Sequence, residues 1–192
     1  MIAIIDYNAG NVKSVQNALT RLGYESKITN NVNEIKSAKK VIFPGVGEAK
    51  SAMQSLKTNG IDRLIPTLKQ PVLGICLGQQ LMCKYSEEGN TNCLSIFDVH
   101  VKRFPPKDVV PHMGWNNLSI LKNELFEDWV IGSNVYFVHS YYVELCEYTS
   151  ATTDYIIPFS AALQKDNFYA TQFHPEKSSS IGSKILQNFL KL

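Results

Sequence analysis

The chain has no apolar run approaching the roughly 18 residues that a membrane-spanning helix requires, which excludes an integral helical membrane protein. It also lacks a charge bias, since 19 Lys and Arg face 17 Asp and Glu for a formal net charge of +2, with no long run of either sign. No nucleic-acid footprint and no polybasic membrane patch is expected, and small neutral or zwitterionic substrates remain open. Cysteine is sparse: none of the four, Cys76, Cys83, Cys93 and Cys146, stands in a C-x-x-C pair, and their spacing fits no usual zinc framework. No metal site and no cofactor is expected, and a reducing, cytoplasmic compartment fits this usage. Before the first strand-like run there is no basic segment followed by an apolar stretch and a small-residue cleavage site, so secretory export is not expected. A G-x-G-x-x-G turn is missing after that run, which argues against a nucleotide-binding dehydrogenase.

What is present points to one compact domain over residues 1–192, with 44% hydrophobic residues to build a core. The first half alternates short apolar runs with helical periodicity, the pattern of a parallel sheet covered by helices. Residues 2–6, 40–43 and 71–75 read as strands. Between the first two, Val12, Val15, Leu19 and Leu22 recur at helical spacing over residues 11–22, with Gly23 as a stop. Residues 49–56 read as a second helix, and another stretch runs through Leu81 and Met82. The second half changes character: residues 99–104, 134–138, 160–164 and 168–173 are strand-like and joined by turns, which suggests an antiparallel or mixed extension of the sheet. At the end, Ile181, Ile185, Leu186, Phe189 and Leu190 share one helical face over residues 178–192 behind a serine-rich N-cap.

Two segments carry chemistry. Gly74-Ile75-Cys76-Leu77-Gly78 has the G-x-nucleophile-x-G form of a strand-to-helix elbow with Cys as the nucleophile. The flanking glycines leave room for close backbone approach, and the thiol stands at a helix N-terminus, where free N–H groups favour a thiolate and can stabilise an oxyanion. The other three cysteines read as small apolar packing residues. About a hundred residues on, Phe173-His174-Pro175-Glu176 offers a base and a carboxylate orienter two apart, able to face one another in extended chain across the proline. Such a pair has the chemistry to take the Cys76 proton and return one to a leaving amine. The order Cys, His, Glu suits an open α/β sheet whose functional groups meet at the strands' carboxyl ends.

With Gln79 and Gln80 completing the elbow, these segments resemble the two signatures of class I glutamine amidotransferases, and the resemblance covers essentially the whole chain. It implies a flavodoxin-like open sheet, mostly parallel with an antiparallel extension and helices on both faces. It implies Cys76 as nucleophile, His174 as general acid/base and Glu176 as its orienter. Gly47, Gln80, Ser140 and Tyr141 would bind glutamine, while Val46 and Leu77 would offer backbone N–H groups to the oxyanion. Further segments, Asp6-Tyr7 with Gly10-Asn11, Pro44-Gly45-Val46-Gly47, Pro111-His112-Met113-Gly114-Trp115-Asn116 and Phe137-Val138-His139-Ser140-Tyr141-Tyr142, are similar to the branch that serves a (β/α)8-barrel cyclase in histidine biosynthesis. Three departures from that pattern stand near the site. Asn8 replaces a usual Gly, Glu48-Ala49 a usual Ala-Phe, and Gln79 a usual Met; residues 92–104 also lack the expected glycines.

The resemblance implies hydrolysis of glutamine to glutamate and ammonia, consumed by the cyclase as a heterodimer partner, because the amidotransferase segments leave little of this chain for an acceptor domain. The turn around Trp115 is expected to face that partner or gate the passage. Three rivals remain: a glutaminase serving sugar amidation or pyridoxal phosphate synthesis, a γ-glutamyl peptidase acting alone, and a non-catalytic module, which would normally have lost a member of the triad.

Overall fold

The computed structural model describes residues 1–8, 11–119, 122, 124–126 and 132–192. Gly10 of the opening motif lies outside the described residues. In chain order the first half runs β1 (Ile2–Ile5), α1 (Val12–Arg21), β2 (Ser26–Thr29), α2 (Val32–Ser37), β3 (Lys40–Gly45), α3 (Ala49–Thr58), α4 (Ile61–Leu64), β4 (Val72–Cys76) and α5 (Leu77–Met82). The second half runs β5 (Cys83–Ser86), β6 (Thr91–Asn92), β7 (Phe97–Arg103), β8 (His112–Asn117), β9 (Asn134–His139), β10 (Tyr141–Val143), β11 (Thr149–Tyr155), β12 (Ile157–Lys165), β13 (Phe168–Thr171) and α6 (Ser179–Lys191).

A seven-stranded sheet in the order β11-β12-β13-β4-β3-β1-β2 organises the chain. From β13 to β2 every pairing is parallel, and β12 and β11 continue it antiparallel. The central strands are apolar without interruption because both faces are covered, as buried parallel strands must be. Alternate residues feed separate cores. Ala3, Ile5, Val41 and Phe43 pack with Met53 and Leu56 of α3 and Leu77 of α5. Ile2, Ile4, Ile42 and Leu73 pack on the other face with Leu19 of α1 and Ile185 and Phe189 of α6. The α/β class and its helices on both faces agree with the sequence pattern. Among the described residues, no helix is long and apolar enough to cross a membrane.

Local signals at α1 act as read. Asn11 caps the helix by accepting from the Ser14 backbone N–H at 3.2 Å, and Gly23 turns left-handed at φ 82° just beyond it. Asn8 adopts φ 61°, the conformation that Gly usually supplies there, and its N–H donates to Asp6 Oδ1 at 3.2 Å. The glycine-poor segment before β7 turns at Ser95, φ 56°.

The second half differs from the sequence reading in its layering. Residues 99–104 and 134–138 do not extend the main sheet. All but residue 104 fall in β7, part of a four-stranded sheet ordered β10-β7-β5-β6, and in β9, which among the described residues pairs with β8 in a two-stranded antiparallel sheet. The reason lies in their burial: β7 and β9 alternate buried with more exposed residues, so each has one wetter face, whereas a strand inside the main sheet has none. The segment at Pro111–Asn116, expected as a turn, is mostly strand β8. The last strand stops at Thr171, not at residue 173, and the chain bends into a 3-10 turn at Pro175–Lys177 before α6.

That turn rests on α6 through Gly182, where an added Cβ would run into the Pro175 carbonyl. Gly182→Ala should therefore lower unfolding free energy by ~1–3 kcal/mol, the cost of overpacking, as read by urea denaturation; an unchanged midpoint would show that the turn yields freely.

Candidate active site

Cys76 ends β4 and sits in a backbone conformation that few non-glycine residues adopt, φ 55° and ψ −108°. Such a conformation costs on the order of 1–3 kcal/mol and persists only where its surroundings enforce it. Here α5 starts so close to β3 that a Cβ on Gly78 would overlap the Phe43 carbonyl. Gly74 is crowded from the same side, its would-be Cβ 2.9 Å from Met82 Sδ and 3.0 Å from the Gly78 carbonyl carbon. The glycines on either side of Cys76 thus let the strand reverse into helix without a gap.

The neighbouring strand ends complete the surroundings. Parallel register sets Gly45 of β3 beside Cys76, and Tyr7, buried after β1, donates its hydroxyl to the Pro44 carbonyl at 2.8 Å, pinning the segment that leads to Val46 and Gly47. Burial, reinforced by the charge of Cys76, raises the Tyr7 phenol well above its ordinary range, so it stays a neutral donor. A cavity of about 400 Å³ opens over these ends, lined by Val46, Gly47, Cys76, Leu77, Gln80 and Tyr141, with Ser140 at its wall. All the residues expected for substrate binding and the oxyanion are therefore gathered with the thiol. Glu88, His139, Pro111 and Val138 line it as well; the last three fall in segments that carry the resemblance without a role of their own, and no sequence signal marked Glu88.

His174 and Glu176 stand behind the cavity. Their side chains are almost fully buried and form an ion pair, Nδ1 to Oε1 at 2.8 Å. The extended geometry expected across the proline holds only for His174, at φ −98° and ψ 95°; Glu176 comes round within the 3-10 turn. Ser178 does not cap α6 with its side chain. Its Oγ donates to the His174 carbonyl at 2.6 Å and accepts from the Tyr136 N–H at 3.0 Å, while the His174 N–H donates to the Tyr136 carbonyl at 2.9 Å. Strand β9 thereby locks the turn to the sheet. Burial alone would lower the His174 pKa, but the charge of nearby Cys76 and the Glu176 carboxylate outweigh it and raise the value. The imidazolium form of His174 is the one this environment favours. Among the described residues, no group of three or more His, Cys, Asp and Glu could hold a metal ion.

A buried polar chain runs through the cavity wall. His139 Nδ1 lies 2.7 Å from the Tyr141 carbonyl, His139 Nε2 is 3.0 Å from His112 Nδ1, and His112 Nε2 is 3.3 Å from Asn116 Nδ2. Because a carbonyl only accepts, His139 donates from Nδ1 and accepts at Nε2, His112 donates from Nδ1, and Asn116 donates to His112. The two rings are thus neutral with fixed tautomers. Burial pushes His112 down to about 4, and burial, partly offset by the Tyr141 carbonyl and aided by the charges of His112 and His174, pushes His139 down to about 3.

The whole chain matches known proteins. A match to the family described as glutamine amidotransferase class-I spans residues 3–192, and this chain belongs to that family. It is a glutamine amidotransferase. Among its relatives, the imidazole glycerol phosphate synthase subunit HisH of Bacteroides fragilis is 61% identical over 194 residues, covering 100% of this chain and 99% of the relative. The protein of the same name from Pasteurella multocida is 47% identical, covering 99% of this chain and 97% of its own length. A crystal structure described as a glutamine amidotransferase superposes with a TM-score of 0.78 at 18% identity, covering 100% of this chain and 98% of that one; at that identity the likeness is one of fold.

His112 and His139 are held neutral in the fold but would protonate near their ordinary value of 6.5 once unfolded. Their contribution to stability is complete above that value and is lost as pH falls toward 4 and then 3. His174 acts in the opposite sense: its raised value stabilises the fold below 6.5 and the contribution fades as pH climbs through it. The thermal unfolding midpoint should therefore fall between about pH 7 and 5, with a shallower slope in His112→Gln; equal slopes would contradict the neutral pair.

Proposed function

We propose that this chain is the glutaminase subunit of an imidazole glycerol phosphate synthase, in which Cys76, His174 and Glu176 hydrolyse glutamine and the ammonia passes to a partner subunit. The observation that carries the reading is the meeting of a strained cysteine with a buried His–Glu pair: β13 ends beside β4, and His174, just beyond it, interacts with Cys76. The name shared by full-length relatives supports the choice of complex.

The Cys76 sulfur attacks the side-chain amide carbon of glutamine, and the backbone N–H groups of Val46 and Leu77 take up the charge on the tetrahedral oxygen. Protonated His174 gives its proton to the departing ammonia, with Glu176 holding the ring by Nδ1. A glutamyl thioester remains. His174 then draws a proton from water, which attacks the thioester carbon and frees glutamate and the Cys76 sulfur. Gly47, Gln80, Ser140 and Tyr141 hold the substrate. Glu88 adds a carboxylate suited to the α-ammonium group; burial raises its pKa, the N–H of Ala49 at 2.8 Å lowers it, and Glu48 raises it again.

Ammonia is mostly protonated near neutral pH and then non-nucleophilic, so its use calls for direct transfer. The receiving partner is a (β/α)8-barrel cyclase that makes imidazole glycerol phosphate and a purine precursor, in the cytoplasm, with residues 1–192 acting as one amidotransferase domain. The β8–β9 hairpin is the face for it: Trp115 is 56% and Met113 67% exposed, and the His139 end of the same hairpin lines the cavity. An acceptor in sugar amidation or pyridoxal phosphate synthesis would leave the same triad chemistry intact, and rescue of a histidine auxotroph separates these readings.

Cys76→Ala should reduce ammonia release from glutamine by at least ~10³-fold while circular dichroism stays unchanged; appreciable turnover would remove Cys76 from the mechanism. Trp115→Ala should weaken binding to the cyclase by about 2 kcal/mol, the scale of an aromatic anchor, as measured by titration calorimetry, and unaltered affinity and coupling would reduce it to a packing residue.

A further inference from the structure

The glutaminase reading leaves one buried side chain at the nucleophile without a role. We propose that Gln172 is a catalytic residue of this site, a hydrogen-bond donor to the Cys76 sulfur whose amide is aimed by the Tyr141 carbonyl two side chains away. The inference rests on the proposed function and adds a group to it.

Register brings Gln172 to the sulfur. Strand β13 pairs with β4 in parallel as far as Thr171 beside Ile75, so the residues that follow are Gln172, just past the end of β13, and Cys76, the last of β4. The Gln172 backbone N–H is tied to the Ala161 carbonyl at 2.8 Å, and its side chain is fully buried with Nε2 3.6 Å from Cys76 Sγ. A glutamine amide can be turned either way, and only its neighbours decide which end meets the sulfur.

Those neighbours leave one solution. Gln80 Nε2 lies 3.1 Å from the Tyr141 carbonyl and 3.0 Å from Gln172 Oε1. The Tyr141 carbonyl accepts and cannot donate, so Gln80 must present its nitrogen there. Its second N–H then goes to Gln172 Oε1, and Gln172 is left with its nitrogen toward Cys76. Turning Gln172 round would set its nitrogen against the Gln80 nitrogen, breaking that contact, and its oxygen against the sulfur, where only a protonated thiol could donate to it. The Tyr141 carbonyl is itself held from the other side by His139 Nδ1, and His112 and Asn116 extend the chain to the exposed hairpin. His139, His112 and Asn116 are positioning residues for this donor.

A donor aimed at sulfur binds the thiolate more strongly than the thiol, since hydrogen bonds to ionised acceptors are the stronger kind. Gln172 thus favours the attacking form of Cys76 from behind the cavity, whose lining includes the cysteine but not this glutamine. The other titratable groups around that sulfur are His174 from the turn after β13, Tyr7 from the segment after β1, and His139 and Glu88 from the cavity wall.

The test uses the full chain, alone and with its cyclase, in Gln172→Met and Gln172→Glu. Alkylation of Cys76 by iodoacetamide is followed across pH by peptide mass spectrometry, alongside steady-state glutamine hydrolysis. Both variants should move the alkylation midpoint to higher pH, Gln172→Glu further because its carboxylate faces the sulfur. The kcat of each should drop at least ~10-fold, with KM changed less than ~3-fold. Folded variants whose alkylation profiles superimpose on the wild type would overturn the proposal. Should neither variant fold, the ¹⁵N-labelled wild-type chain decides: one of the two Gln172 side-chain amide protons should move downfield as the sulfur ionises, and a pair that does not respond would equally overturn it. The glutaminase reading fails separately, if the wild-type complex releases no ammonia from glutamine.

Discussion

The approach of β3 to the first turn of α5 is the constraint on which the site depends. With hydrogen at Gly78 the helix can begin against the Phe43 carbonyl; with any larger group it would be pushed off the sheet. That closeness leaves β4 no room to relax, so Cys76 is held in its unusual backbone conformation. The same stacking of strand ends seats Gly45 beside Cys76 and brings Tyr7 onto the Pro44 carbonyl. The strain is local, and the two cores on either face of the sheet supply the rigidity that sustains it.

Polar direction is the second theme. Around the cavity the side chains form a chain in which each donor is fixed by the acceptor before it, starting from a backbone carbonyl that has no choice of role. Low dielectric makes a reversed member costly, so a buried chain of this kind specifies orientation as well as contact. It runs from the hairpin carrying Trp115 to the Cys76 sulfur, while β9 of that hairpin also binds the backbone of His174. Displacement of the hairpin would therefore bear on both Cys76 and His174.

Much of the fold was legible. The alternation of apolar strand and amphipathic helix gave the parallel sheet, and α1 appeared with its cap and its stop because Asn11 and Gly23 act within a few residues of themselves. The elbow and the His-Pro-Glu segment were legible for the same reason, since each is a short piece of chain with its own chemistry. The layering of β7 and β9 was not, because a strand with one wetter face reads alike whether it borders a large sheet or builds a small one. Ser178, in the serine-rich stretch expected to cap α6, instead uses its hydroxyl to hold the His174–Glu176 turn, through a partner in β9 some forty residues away.

The sequence by itself determined which groups could react: a cysteine between glycines, a histidine with a carboxylate two residues on, and a pattern that forms a doubly covered sheet. Local backbone preference and side-chain chemistry are properties of neighbouring residues and can be read from their order. Only the tertiary structure decided that Gln172 turns its nitrogen to the sulfur, that Glu88 reaches the cavity, and that His112 and His139 stay neutral. Orientation and protonation inside a core are set by which distant groups share the space and by the water they exclude, and that is fixed when the strands pack.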